Sequence, residues 1–171
     1  MPDVSTNRVT GLVPLDVVRP LSGLEFIKGL SEGQFPRPPI AALMDFEPVE
    51  VERGRVVFAA TPDERHYNPL GSVHGGYIST LLDSCMGCAV HTHLEAGQSF
   101  TSLELKVNFI RRVSAETGPV RAEGRVIHVG GQIATAEGRL VDASGRLLAH
   151  GTTTCLIFRL PERPSEARKA E

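Results

Sequence analysis

The chain has 171 residues, of which 41% are hydrophobic and 22% charged, with a formal net charge of -2. That length fits one domain with its own core and some excess at the ends. The near-neutral balance argues against wholesale nucleic-acid or membrane binding, so an anionic ligand has to be met by a local basic cluster.

Asp3, Arg8, Asp16 and Arg19 interrupt the first twenty residues, which therefore lack the apolar core of a secretory signal. No later run approaches the length that spans a bilayer, and a cytoplasmic protein is expected. Residues 1–19 show no sustained period and read as an extended arm. Residues 22–33 predict a short helix capped by Ser22, with Leu24, Phe26, Ile27 and Leu30 on its buried stripe and Gly33 ending it. After a break at Pro36, Pro38 and Pro39, strands are expected at 43–52 and 55–61, turned at Arg53-Gly54. A polar loop then runs from Pro62 to Val73.

Ile78, Leu81, Leu82, Cys85 and Ala89 recur at helical spacing and predict a long helix over 75–94. Downstream, Leu103, Leu105, Val107 and Phe109 alternate with polar residues as a half-buried strand does. Three more strands are expected at 120–129, 132–142 and 146–158, with turns at Gly130-Gly131 and Ala143-Ser144-Gly145. The charged residues 161–171 read as a disordered tail. The order predicts an α+β fold, an antiparallel sheet wrapped around one long helix. The division expected is an arm and short helix at 1–40, one domain at 41–160, and the tail.

The chemistry concentrates between Asn68 and Asp83. Gly75 and Gly76 stand where the long helix begins, and a glycine pair there leaves backbone N–H groups open to an approaching group. Together with the positive end of the helix dipole they suit a carbonyl oxygen that gains negative charge. The alternative is that these glycines only allow close packing at the helix entry. Asp83 lies inside a mostly apolar helix, on a stripe of small residues with Gly76, Ser79, Thr80 and Gly87, where another backbone or subunit can come close; a solvated aspartate is the plainer reading. Eight residues separate Gly75 from Asp83, about 12 Å along a helix. If both act on one substrate carbonyl, the Asp83 involved comes from a second chain.

The pattern N-x-x-G-x-x-H-G-G-x-x-x-x-L-x-D, read over Asn68–Asp83, resembles the signature of hotdog-fold acyl-CoA thioesterases of the phenylacetate-degradation, PaaI-like type. The likeness continues through Asn108-Phe109-Ile110-Arg111, Gly130-Gly131 and the closing strand with Gly151-Thr152-Thr153-Thr154. The resemblance implies hydrolysis of an acyl- or aryl-CoA ester at a site shared between subunits of a homodimer or homotetramer. It implies that the Gly75 N–H polarises the thioester carbonyl. Asp83 is implied as general base or attacking carboxylate, and Asn68 as a group that holds the thioester or the water. His74 and Gly76 belong to the same loop. Ser102 matches a water-positioning hydroxyl, although strict alternation turns it away from the helix and leaves Thr101 as a competitor. Where relatives often carry proline after the matching arginine, this chain has Arg112. The pair Arg111-Arg112 is either a grip for the coenzyme A phosphates or a solvated strand end.

Cys85 and Cys88 have the spacing of a redox or metal pair, but mid-helix placement favours core packing, and His91 and His93 point in different directions on a helix. No metal and no bound cofactor are expected. The rival functions are a 3-hydroxyacyl-thioester dehydratase using His74 as its base, and a non-catalytic acyl-CoA-binding hotdog protein.

Overall fold

The computed structural model of the chain describes residues 9–161. The first eight residues of the expected arm, and 162–171 of the expected disordered tail, lie outside the described residues. All five residues of the long apolar stripe are buried on one helix, α4, Gly75–His91. It stops three residues before the expected end because Thr92 caps it: the Thr92 hydroxyl donates to the Ala89 carbonyl at 2.6 Å and accepts the Gly54 N–H at 2.7 Å.

Six antiparallel strands surround this helix: β1 Phe46–Glu52, β2 Arg55–Ala60, β3 Gln98–Phe109, β4 Val120–Val129, β5 Ile133–Asp142 and β6 Leu147–Arg159. Their order in the sheet is β1-β2-β4-β5-β6-β3. The two sequence-early strands and the strand after α4 thus become neighbours of the final meander, and β1 and β3 form the edges. The centre of the sheet is built to let the helix approach. Ala122, Ala134, Ala136 and Ala149 are fully buried there, and Gly124 of β4 faces Gly138 of β5. A Cβ at Gly124 would stand 2.2 Å from the Cys85 carbonyl oxygen, and one at Gly138 2.9 Å from Met86. Neither contact is sterically allowed, so these glycines fix how closely α4 sits in the sheet. The expected α+β architecture, one long helix wrapped by an antiparallel sheet, is the one observed.

Two helices go beyond the sequence reading: α1, Leu15–Val18, within the supposed arm, and α3, Pro39–Met44, within the supposed break. Pro39 sits at the first turn of α3, where its missing N–H has no partner to lose, and Asp45 in the left-handed region (φ 51) ends it. The first strand therefore begins at Phe46 and not at residue 43. Between them α2, Gly23–Ser31, carries the expected Ser22 cap as a capping box with Glu25. Its Ile27 joins the main core, while the Gly23 N–H donates to the Leu94 carbonyl at 2.9 Å and the Ser31 hydroxyl to the Pro48 carbonyl at 3.1 Å. Among the described residues no helix is long and apolar enough to cross a membrane.

Asp142 closes the β5–β6 turn, accepting from the Ser144 hydroxyl at 2.6 Å, the Arg146 N–H at 3.0 Å and Arg146 Nε at 2.9 Å. The bonds from Ser144 first, then Arg146, hold its carboxyl well below the usual carboxylate range. A depressed folded pKa contributes stability above the unfolded value of about 3.9 and loses it as pH falls toward the folded one. Asp142→Asn is expected to melt below wild type at pH 6, with the gap closing as pH is lowered from 5 toward 3. Thermal melts across that range check this, and a gap independent of pH would contradict it.

Candidate active site

The loop before α4 is built to present the helix start. His66 accepts the Asp63 N–H on Nδ1 at 3.0 Å, its carbonyl accepts the His74 N–H at 2.7 Å, and its ring lies on Tyr77 with centroids 4.1 Å apart. Burial pushes the Tyr77 phenol up to about 12, so it stays a neutral part of the wall. Asn68 organises the turn itself. Its Oδ1 accepts the Leu70 and Ser72 N–H groups at 2.9 and 3.3 Å, and its Nδ2 donates to the Ser72 hydroxyl at 3.0 Å. The side chain expected to hold the thioester or the water is thus tied mainly into its own loop.

His74 is the N-cap of α4. Its Nδ1 accepts the Gly76 N–H at 2.8 Å and its carbonyl the Tyr77 N–H at 3.0 Å. Gly76, expected among the substrate donors, therefore has its N–H engaged. The Gly75 N–H has no acceptor among the described residues. A Cβ at Gly75 would lie 3.0 Å from the Phe109 ring, so the glycine also admits that ring over the helix start. Both readings of the glycine pair find support, divided between exposure of one donor and close packing.

Asp83 is half-buried on α4, and its Oδ1 accepts the Ser102 hydroxyl at 2.9 Å. This corrects the expectation that Ser102 faces away from the helix. The reason is a bulge. Ser102 pairs with Cys155 but Glu104 with Thr154, which leaves Leu103 unpaired and shifts the alternation by one residue. Before the bulge Phe100 and Ser102 face α4. After it Leu105, Val107 and Phe109 share the face of their buried partners Thr153, Gly151 and Ala149. Leu103, expected on the buried face, is 56% exposed. Thr101, the competing hydroxyl, is exposed and pairs with Leu156.

The stripe of small residues is also partly filled from within. A Cβ at Gly87 would stand 2.9 Å from the Phe100 ring, so this glycine receives a side chain of its own β3 and not a second chain. Beside it a cavity of about 200 Å³ opens between α2, α3, β1, β2, α4 and β3, with Asp83 and Ser102 among its lining. The contribution of α2 and α3 to this wall escapes sequence reasoning. The stripe of α2 signals burial, but nothing local tells a packed face from one that borders a cavity.

Arg111 donates to the Leu147 carbonyl, and Arg112 to the Gly71 carbonyl at 2.7 Å, while both remain exposed. Arg112 thus braces the loop in front of α4. Burial pushes the Cys88 thiol up to about 12 and the Cys85 thiol well above its ordinary value, so both stay protonated at neutral pH. Burial lowers His91 to about 4, between the rings of Phe26 and Phe100. Among the described residues no group of His, Cys, Asp or Glu is arranged to hold a metal ion.

An antiparallel six-stranded sheet wrapped on one long helix is the framework of a hotdog protein. The chain belongs to the thioesterase superfamily, whose sequence profile matches residues 70–149. It is 30% identical over 107 residues to a Saccharolobus solfataricus protein provisionally named an esterase, covering 63% of this chain and 74% of that one. To a 1,4-dihydroxy-2-naphthoyl-CoA hydrolase of Listeria monocytogenes it is 29% identical over 84 residues, 49% of this chain and 67% of the relative. Among solved structures, a phenylacetic acid degradation-related protein of Ralstonia eutropha, provisionally classed as a thioesterase, superposes with a TM-score of 0.70. That pair shares 27% identity over 77% of this chain and 98% of the other.

Proposed function

We propose that the chain hydrolyses acyl- or aryl-thioesters of coenzyme A to the free acid and thiol. The observation that carries this is the Asp83 carboxylate, hydrogen-bonded to Ser102 at 2.9 Å on the wall of an apolar cavity. Ser102 holds Oδ1, which leaves Oδ2 to draw a proton from water or to attack the carbonyl carbon itself. The Gly75 N–H, open at the positive end of α4, receives the developing oxyanion. Arg111 and Arg112, exposed on the strand end near the same loop, meet the phosphates of the coenzyme.

The two catalytic groups lie about 12 Å apart along one helix, so each site takes Gly75 from one protomer and Asp83 from another. The free edge of β3 supports such an assembly, since Leu103, Leu105, Phe109 and Ile110 leave it apolar and exposed. A homodimer, alone or within a tetramer, is the expected form. Its three free cysteines fit the cytoplasm. Hydrolysis is favoured over dehydration by the state of His74. Its Nδ1 accepts the Gly76 N–H, which assigns the ring proton of the neutral imidazole to Nε2, so no lone pair is left to act as base.

The test is a panel of short, medium, long and aryl CoA thioesters with a chromogenic thiol trap. Release of coenzyme A well above the buffer rate on at least one class is expected. Background rates on all of them would end the proposal.

A further inference from the structure

We infer that the cavity beside Asp83 is the acyl pocket, roofed by α2 and α3, and that it is sized for a single aromatic ring or a medium-length acyl chain. This rests on Asp83 being the hydrolytic carboxylate. The carboxylate and Ser102 give the lining a polar edge from which the scissile carbonyl is reached. Most of the remaining wall is apolar: Ile27 and Leu30 from α2, Ala41 from α3, Phe46 and Phe58 from the first two strands, and Phe100 from β3. The charged Arg37 and Glu47 also line it, and Arg37 is paired with Asp45 at 3.0 Å. A thioester whose carbonyl stands at Asp83 has this space available for its acyl group, and burial there removes the chain from water.

Size decides the class. An apolar cavity of about 150 Å³ takes benzene, so the 200 Å³ here holds one ring with a short tether, or about eight carbons by the same proportion. A fused two-ring group or a long fatty chain exceeds this volume and crowds α2 or α3. Of the two, α2 is fastened at both ends, through the Gly23 N–H on the Leu94 carbonyl and the Ser31 hydroxyl on the Pro48 carbonyl. The sequence before the first strand thereby acquires a role: it sets which acyl group fits.

The experiment compares acetyl-, phenylacetyl-, octanoyl-, naphthoyl- and palmitoyl-CoA on wild type, on Ala41→Leu, which narrows the cavity, and on Leu30→Ala, which widens it. Wild type is expected to give the highest kcat/KM on the phenylacetyl and octanoyl esters. Ala41→Leu should lower those values at least tenfold, a larger fall than on acetyl-CoA. Leu30→Ala should raise naphthoyl-CoA several-fold. Equal changes on acetyl and phenylacetyl esters, or best turnover of palmitoyl-CoA by wild type, would overturn the pocket while leaving thioester hydrolysis standing. A thioether analogue, with a methylene between sulfur and the phenacyl carbonyl, reads binding apart from hydrolysis. Wild type should bind it at least tenfold tighter than coenzyme A, and Ala41→Leu should abolish that advantage; no advantage in wild type would reject the pocket even for a chain that hydrolyses nothing.

Discussion

Asp83→Asn is expected to lower turnover of CoA thioesters by at least about 100-fold, the scale of a lost proton-transfer group. The replacement is nearly isosteric, and the amide oxygen still accepts the Ser102 hydroxyl that Oδ1 accepts now at 2.9 Å. Position, packing and the hydrogen bond therefore survive, while the negative charge and its basicity are removed. If Asp83 works only in the transition state, the loss falls on kcat and leaves KM near its wild-type value. It amounts to at least about 2.7 kcal/mol of barrier, at 1.36 kcal/mol per tenfold change in rate. Single-turnover hydrolysis in labelled water identifies attack by the carboxylate in one outcome. An unlabelled first-turnover acid, with label left on Asp83, marks a mixed anhydride opened by water at the Asp83 carbonyl, whereas direct attack by water puts the label into the acid at once. A variant that turns over like wild type would remove Asp83 from the chemistry.

The parts of this molecule that are legible in the sequence are those whose physics is local. The stripe of α4 repeats at 3.6 residues, and the strands of the closing meander are bounded by Gly130-Gly131 and by the turn at Gly145, so helix, strands and their order follow from periodicity and punctuation. The open glycine start and the Asp83 carboxylate are equally local, lying within one helix. The face of Ser102 is not. It depends on a one-residue bulge that exists only because Ser102 and Glu104 pair with consecutive residues of β6, and a period of two read along β3 alone places Leu103 inward. Gly87 misleads for the same reason. A small residue on a helix signals a close approach without naming the group that approaches, and here it is Phe100 of the same chain. Pro38-Pro39 reads as a break, yet Pro39 opens α3, because proline ends helices from within and starts them at the first turn.

Gly75→Pro provides the sharpest test of a site divided between chains. Proline at this position removes the Gly75 N–H, which has no acceptor among the described residues. It suits the first helical turn, and the preceding His74 already has the extended backbone, φ -64 and ψ 137, that a following proline requires. The added ring atoms meet Phe109, which is 54% exposed and free to shift. The variant should fold and lose about 10²- to 10³-fold in turnover, as other enzymes do on losing one oxyanion donor. Gly75→Ala keeps the N–H while crowding the same ring, so it should lose far less; equal losses in the two would assign the effect to Phe109. Mixing Gly75→Pro chains with Asp83→Asn chains then asks where the partner group comes from. In a symmetric dimer each site takes its glycine from one protomer and its aspartate from the other. A hybrid has one site with both replacements and one with neither. Random exchange of equal amounts makes about half the dimers hybrid, so about one quarter of all sites, and of wild-type activity, should return. If each protomer held both groups of its own site, every site would carry one replacement and activity would stay at the level of the inactive parents.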